Sequence, residues 1–515
     1  MSASAMRCLI FAAIAFSAWL GQAKEWEISA DFRGDLPPTR ACGDIACPLD
    51  LSGAESLEFE LFAENLSEFS WFLFHFWFGG SEWVGGGQLY PTEEGAWQRL
   101  TVKVPNGKDA KRDWSKVKGV RISGWRGGTN CTRLAVRNFR AVPTVASLNA
   151  AALDRLAATP ARPGERRLVW AHNPNGLRDV GWGPAVRMLA ENGYTDLIAN
   201  LANGPSSAYP SKVLMPSARV AGKDRFAECL AACRKFGVKF HVWNVCWGGG
   251  WDLTTEEKTR FEGERRYQVS SSGEQSGRGW MCPSHPLTRQ MLVDSMLELA
   301  EKGADGVHFD YIRYPDGDYC FCERCREAFE KSYGRKVDDW PRPIFGNDRD
   351  LVRAWRRFRV ETITSVVRET AMRLRKTGLK CEISAAVFRD PLADPDFVGQ
   401  DWAAWCEKGY VDFVCPMTYE DDFGCFRRKL DKQAAQVSSR VPRYPGIGLG
   451  VWTRDGLEVK RFADQVRYVR ETGLKGFTVF DLSWKLEQLL PKVKSALLAP
   501  HADQVPVSKR TCLSD

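Results

Sequence analysis

The strongest constraint on this chain is a punctuation that begins at Arg167 and repeats. An apolar strand is followed by a polar strand end, an amphipathic helix, a glycine and, one or two residues later, another strand. RLVWAHNP, TDLIANLA, VKFHVWNVCW, DGVHFDYIRYP, LKCEISAAVF, VDFVCPMTY, YPGIGLGV and GFTVFDLSW read as strands. GPAVRMLAENG, RFAECLAACRKFG, PLTRQMLVDSMLELAEKG, QDWAAWCEKG and VKRFADQVRYVRETG read as helices. So do the stretches from about Leu351 to Lys376 and from about Phe423 to Val437, and a last helix ends near Leu498. Glycine stops a helix well because it takes the left-handed conformation without a Cβ clash. Eight strand–helix pairs in roughly 330 residues predict a (β/α)8 TIM barrel with insertions over residues 167–498. An open doubly wound sheet would normally stop at about five or six strands. The glycine-rich phosphate-binding signatures are also missing from the first strand–helix turn.

The 515 residues exceed one ordinary domain, and the stretch before the barrel has another rhythm. LEFELFAENL, FSWFLFHFWFGG, WQRLTVKVP, VKGVRISGW and TRLAVRNFRAVP are short aromatic or β-branched runs between Gly, Asn and Pro turns, several alternating with period two. They predict a small β-sandwich over residues 24–142, followed by a helix and linker over residues 143–166. Residues 499–515 form a C-terminal tail. Trp71, Trp77, Trp83, Trp97, Trp114 and Trp125 are either core residues or part of a sugar-stacking platform. The module resembles galactose-binding-like domains joined to carbohydrate enzymes, which implies a carbohydrate-binding role. Before it, Arg7, the apolar run CLIFAAIAFSAWL and the ending GQA read as an export signal over residues 1–23. The run is shorter than the ~20 apolar residues of a spanning helix, and no comparable run follows. The expectation is export to the periplasm or the medium, with no stable membrane insertion after cleavage. The formal charge of +8 is scattered along the chain, which argues against nucleic acid as a partner.

In such a barrel the chemistry gathers at the C-terminal ends of the strands. Strand four puts His308 and Asp310 on one parity and Phe309 and Tyr311 on the other. A buried carboxylate is costly without partners, so Asp310 is either a structural acceptor or a functional group, with Arg313 and His308 placed to hold or tune it. The other strand ends offer His172 and Asn173, Asn200 and Asn203, Asn244 and Trp247, Arg389 and Asp390, then Tyr419, Glu420, Asp421 and Asp422, and finally Asp481 and Trp484. Rings stack on sugar faces, and amides and carboxylates bind hydroxyls, so this mouth suits a poly- or oligosaccharide. Glycosidic cleavage usually takes two carboxyl groups and no cofactor. Asp310 is the expected nucleophile or base. Glu420 is the first choice for the acid, with Asp390, Asp421 and Asp481 open; Glu420 equally reads as a loop residue or a cap for the helix near Phe423.

The chain has 16 cysteines, and without Cys8 of the signal an odd number is left. Cys42 and Cys47 could close a small loop. Cys229 and Cys233, four apart on a predicted helix, read as helix packing. Cys320, Cys322 and Cys325 form C-x-C-x-x-C, and three ligands are too few for a closed structural zinc site. Cys282 in MCPSHP could add a fourth thiolate, or His285 a nitrogen. Three states stay open: disulfides or structural thiols, which export would favour; a structural zinc stapling the loops after strands three and four; and, least favoured, redox chemistry.

DGVHFDYIRYP followed by YCFCERCREAFE, with MCPSHP upstream and VDFVCPMTYE downstream, resembles the glycoside-hydrolase-like family 10 proteins, TIM-barrel proteins of bacterial envelopes. The resemblance spans roughly residues 167–498. It implies that the family's Asp at the end of strand four falls on Asp310, and its Pro-Met-x-Tyr element on Pro416, Met417 and Tyr419. A broader similarity to bacterial exopolysaccharide deacetylase–hydrolase barrels also points to an Asp near strand four. The function implied is an exported glycoside hydrolase. The alternative is a catalytically inactive carbohydrate-binding or cell-surface scaffold that keeps the same mouth.

Overall fold

The computed structural model describes residues 25–500 apart from 35–37, 52–53, 106–111, 143–144, 218–219, 221 and 252. The signal read at residues 1–23 and most of the C-terminal tail therefore lie outside the described residues. The chain divides into two compact units after Val145.

The first unit is the expected β-sandwich. Its strands are β1 (Trp26–Asp31), β2 (Arg40–Leu49), β3 (Ser56–Ala63), β4 (Phe69–Gly79), β5 (Glu82–Leu89), β6 (Trp97–Lys103), β7 (Val117–Arg126) and β8 (Cys131–Val142). They form two antiparallel sheets, ordered β1-β8-β3-β6 and β2-β7-β4-β5. Strand alternation sorts β4: Phe72, Phe74 and Phe76 point into the core, while Trp71, Leu73, His75 and Trp77 are half-buried on the outer face. The sequence reading missed β1, β2 and β5. RACGDIACPL and EWVGGGQL have weak strand propensity, and their conformation comes from pairing with β7 and β4. Cys42 and Cys47 do not close a loop. They sit on β2 on opposite faces, Cys42 exposed and Cys47 buried.

The second unit is the barrel, and all eight expected strands are present. They are β9 (Arg166–Ala171), β10 (Asp196–Asn203), β13 (Lys239–Val245), β14 (Gly306–Asp310), β15 (Glu382–Val387), β16 (Phe413–Pro416), β17 (Gly446–Gly448) and β18 (Gly476–Phe480). Two-residue strands β11 (Ser206–Ser207) and β12 (Met215–Pro216) sit in the loop after β10. The eight are parallel, in the order β16-β15-β14-β13-β10-β9-β18-β17. The ends of this sheet meet at an isolated bridge between Val414 and Arg443, where Tyr444 N donates to Val414 O at 2.9 Å. A narrow seam thus brings β16 to the segment that leads into β17.

Helices α1 (Val145–Ala157), α2 (Trp182–Glu191), α3 (Arg225–Phe236), α4 (Thr255–Gly263), α5 (Pro286–Glu301), α6 (Glu323–Tyr333), α7 (Arg349–Lys376), α8 (Asp394–Val398), α9 (Trp402–Glu407), α10 (Phe423–Gln436), α11 (Glu458–Glu471) and α12 (Trp484–Leu497) complete the unit. Local chemistry sets their ends. Asp224, Asp348, Asp401 and Asp422 accept from the first-turn amides of α3, α7, α9 and α10. Gly237 ends α3 in the left-handed conformation, at φ +69°. Helix α1 is the helix expected in the segment read as helix and linker, and its Ala152 and Leu156 belong to the apolar layer between barrel and helices. Cys229 and Cys233 are buried and unbridged in α3, in keeping with helix packing. Among the described residues no helix is long and apolar enough to cross a membrane.

The barrel interior is filled by Leu168, Trp170, Ile198, Trp243, Phe413, Cys415 and Tyr444. At its N-terminal end, Arg166 pairs with Asp196 and with Glu382 (3.0 Å), and His241 Nε2 meets Asp196 at 3.1 Å. Here the guanidinium already supplies the positive charge those carboxylates need, so the group serves as a buried ionic plug.

Candidate active site

A cavity of about 370 Å³ opens at the C-terminal end of the barrel. Its rings are Trp170 from β9, Trp243 from β13, Tyr311 just after β14, Tyr419 after β16 and Phe480 from β18. Its polar groups are His172, Asn203, Asp310 and Arg313. A larger, shallow depression of about 740 Å³ between α2 and α3 lies on the helical layer, away from the strand ends.

Asp310 is the last residue of β14 and is 5 % exposed. Burial pushes its carboxyl up to about 6, against the pull of the Tyr311 amide, the Arg313 charge and the Trp243 indole. The Tyr311 amide donates to Oδ1 at 2.7 Å. Tyr311 itself has φ +53°, which breaks the strand alternation. Its ring therefore lines the same cavity as Asp310 and does not take the opposite face that parity predicts. Arg313 lies over the rings of Phe388 (4.2 Å), Tyr311 (5.0 Å) and Trp280 (5.3 Å). Tyr419 stacks on Phe480, centroids 5.3 Å apart. The glycines of β17 make room for it: a Cβ at Gly448 would meet Tyr419 Cβ and Cγ at 2.7 Å.

Asp481 directly follows Phe480, the last residue of β18, four strands from β14 in the closed order; Phe480 lines the cavity and Asp481 is not among the lining residues. Burial raises its carboxyl, opposed by the Ser483 hydroxyl and by His172. Burial also holds the Tyr419 hydroxyl well above its usual value, and the charges of both Asp310 and Asp481 add to that. Tyr419 thus senses two carboxylates from opposite strands.

Several other expected contacts lie elsewhere. Glu420 is buried but does not line the cavity; it accepts from Lys429 of α10 in an ion pair. Its backbone carbonyl accepts from Trp452 Nε1 and Gln465 Nε2, each at 3.0 Å. His308 lies under the floor. Trp170 Nε1 donates to its Nε2 at 3.0 Å and its Nδ1 meets Ser384 Oγ at 2.9 Å, so it positions Trp170 and does not hold Asp310. Burial drives its pKa well below the ordinary value and keeps it neutral. Asn244 points outward to Ser295 of α5, and Trp247 is buried in the layer between barrel and helices. Asn200 is buried in β10 just before its bulge, so Asn203 takes the place at the cavity. Asn173 is exposed and accepts from the Asn175 amide. Asp390 is tied to Lys432 (2.7 Å) and Asp421 to Arg461 (2.7 Å). Trp484 begins α12 beneath Arg454 and lines a neighbouring depression.

Sequence reasoning missed Trp170, Trp243 and Phe480. The period-two pattern of β9, β13 and β18 carried that signal, since each ring shares parity with interior residues. In the sandwich, Trp114 is core. Trp71 and Trp125 stack at 3.9 Å, and Trp77 and Trp83 at 5.9 Å, on the outer face of one sheet; Arg137 covers Trp97 on the other. Cys282, Cys320, Cys322 and Cys325 come together, while His285 Nε2 bonds the Glu264 carbonyl at 3.0 Å outside that cluster.

Among solved structures, the PgaB (BpsB) glycoside hydrolase domain from Bordetella bronchiseptica matches with TM-score 0.50 and 15% identity, over 66% of this chain and 100% of that one. The catalytic domain of a beta-amylase from Paenibacillus polymyxa matches with TM-score 0.47 and 10% identity, over 66% and 99%. The glycoside hydrolase domain of PelA from Pseudomonas aeruginosa matches with TM-score 0.33 and 12% identity, over 62% and 95%. No curated protein sequence matches the chain. The family model for glycosyl hydrolase-like 10 matches residues 195–464, more than half of the chain and most of the barrel, with β14 and β16 inside it. The chain belongs to the glycosyl hydrolase-like 10 family.

Proposed function

We propose that the barrel is a glycoside hydrolase acting on a poly- or oligosaccharide, with Asp310 as its proton-transferring carboxyl group. The observation that carries this reading is a buried carboxyl held up to about 6 at the C-terminal end of a barrel strand, in a cavity walled by aromatic rings. A carboxyl group that keeps its proton up to about pH 6 suits the acid that donates to a departing glycosidic oxygen. That role differs from the nucleophile or base expected of Asp310. Asp481 is the proposed second carboxylate, in place of Glu420, which is spent on Lys429. It would attack the anomeric carbon or activate water from the opposite side of the bond. Tyr419, His172 and Asn203 would bind hydroxyls, and Trp170 and Trp243 would face sugar rings. The outer Trp71, Trp77, Trp83 and Trp125 of the sandwich support an auxiliary glycan contact, and the apolar run at residues 8–20 supports export to the periplasm or medium.

One observation favours the second reading, an inactive carbohydrate-binding scaffold: among the described residues Asp310 is the one carboxylate lining the cavity. The deciding experiment is oligosaccharide release from a broad glycan panel by wild type, Asp310→Asn and Asp481→Asn. The hydrolase reading expects turnover to fall at least ~100-fold in each variant while glycan binding persists. Binding without turnover by the wild type would replace it with the scaffold reading.

A further inference from the structure

We infer that Cys282, Cys320, Cys322 and Cys325 hold one structural zinc ion, which staples the loop after β13 to the start of α6 and so supports the cavity wall. The inference does not depend on the glycosidase reading.

The geometry is that of a tetrathiolate site. All four Sγ atoms lie within 4.8 Å of one another. Cys282 Sγ is 3.7 Å from Cys322 Sγ and 3.6 Å from Cys325 Sγ. A tetrahedron of sulfurs about 2.3 Å from zinc has edges of about 3.8 Å. A disulfide would bring one pair to about 2.05 Å and leave the others apart; here one sulfur has two near neighbours at almost equal distance.

The surroundings fit an anionic cluster. Cys322 caps α6 and Cys325 lies in its first turn, where unpaired amides favour thiolates. The Val269 amide donates to Cys320 Sγ at 3.4 Å, an outer-shell bond of the kind that orients a metal ligand. Arg359 supplies an independent observation. It is 2 % exposed, its nitrogens donate only to the backbone carbonyls of Asp316, Asp396 and Phe397, and no carboxylate among the described residues pairs with it. Its charge interacts with Tyr314, with the Asp316 carboxylate, and with Cys320 and Cys325. A buried cation with no carboxylate in direct ion-pair contact is expensive, and a zinc tetrathiolate of net charge −2 beside it would add to the counter-charge of Asp316. On binding, each thiol releases its proton to solvent and Zn2+ takes four sulfur electron pairs; no oxidant is consumed.

The site reaches the cavity through Trp280. Trp280, two residues before Cys282, packs on Tyr311 with centroids 5.2 Å apart and lies under Arg313. Tyr311 and Arg313 both line the cavity. The Phe321 amide, between two of the cysteines, donates to Val269 O at 2.8 Å and joins the two loops directly.

The test uses the full chain, recovered without reductant from zinc-supplemented culture. Elemental analysis is expected to find one zinc per chain in wild type and in Cys42→Ser, whose thiol lies in the sandwich, and under a tenth of that in Cys325→Ser. Titration of chelator-treated wild type with Co2+ is expected to give thiolate-to-cobalt charge-transfer bands and tetrahedral d–d bands, and this readout holds even where a variant folds poorly. Cys322→His is expected to keep the metal and move the d–d bands to shorter wavelength. Hydrogen exchange after chelation is expected to rise at least ~10-fold over residues 264–285 and 319–333. Disulfide-linked peptides joining these cysteines, or four free thiols that take up neither Zn2+ nor Co2+, would overturn the site. Bound zinc whose removal leaves exchange unchanged would overturn the staple.

Discussion

Burying the Asp310 carboxyl opposes folding and favours proton transfer. A group raised from 3.8 to about 6 is bound to more protons in the folded chain than in the unfolded one between those values. Its contribution to stability is therefore full below about pH 4, declines as pH rises through about 6, and stays low above that. The shift is worth on the order of 3 kcal/mol. Asp310→Asn is thus expected to be more stable than wild type at pH 7.5, with the difference vanishing near pH 4, as chemical denaturation at the two pH values would show. If Asp310 is the acid, turnover should also decline as pH rises above about 6, and that limb should disappear from the residual activity of the variant. Glu420 gives the opposite expectation. Glu420→Gln strands the Lys429 ammonium, which burial and nearby Arg389 already bring down to about 7. It should cost about 1–3 kcal/mol of stability and leave kcat of the folded protein within about threefold. A loss of turnover comparable to that of Asp310→Asn would return Glu420 to the chemistry. At this scale the sequence identified Asp310 through its setting, a carboxylate in an apolar strand. It put Glu420 first as the partner and left Asp390, Asp421 and Asp481 open, because all four follow strand ends and only packing decides which way each turns.

At the scale of elements, β17 is short and rich in glycine because Tyr419 needs the space. A Cβ on Gly448 would press on the root of the Tyr419 side chain, and the ring is already stacked on Phe480 and cannot retreat. Gly448→Ala should therefore cost about 1–3 kcal/mol. It should also raise KM more than it lowers kcat, since the displaced ring lines the cavity and Asp310 is untouched; denaturation and steady-state kinetics on the best glycan would check both. YPGIGLGV was legible as a strand from its position between two helices, but the reason for its glycines lies on β16. The same division explains the missed helices. Helix α4 has a capping box, with Thr254 and Glu257 bonding each other's backbone, which is a local signal. Helix α6 begins within the cysteine cluster, with the sulfur of its N-cap Cys322 3.7 Å from that of Cys282, 40 positions away.

For the whole molecule, the segment read as a linker belongs to the barrel unit. Arg470, fully buried in α11, is held by Glu165 at 2.8 Å and by the Thr159 carbonyl at 2.8 Å, and Arg155 pairs with Asp464. A chain beginning at residue 145 is expected to unfold in one cooperative transition by calorimetry. One beginning at residue 166 keeps all of β9 but loses α1 and Glu165, leaves Arg470 buried without its carboxylate, and should lose about 3–5 kcal/mol; equal stability of the two would return the segment to a linker. What the sequence by itself determined was the architecture: strand and helix periodicities, capping residues and stop glycines are local, so eight strand–helix pairs, a preceding sandwich and the carboxylate of β14 could all be read along the chain. Tertiary structure alone decided which polar strand ends meet. Strand β18, which ends just before Asp481, lies opposite β14 because the sheet closes, Glu420 stays off the cavity in its pair with Lys429, and Tyr311 joins the cavity because its backbone leaves the strand. These outcomes depend on contacts between residues far apart in sequence, where no local pattern carries the information.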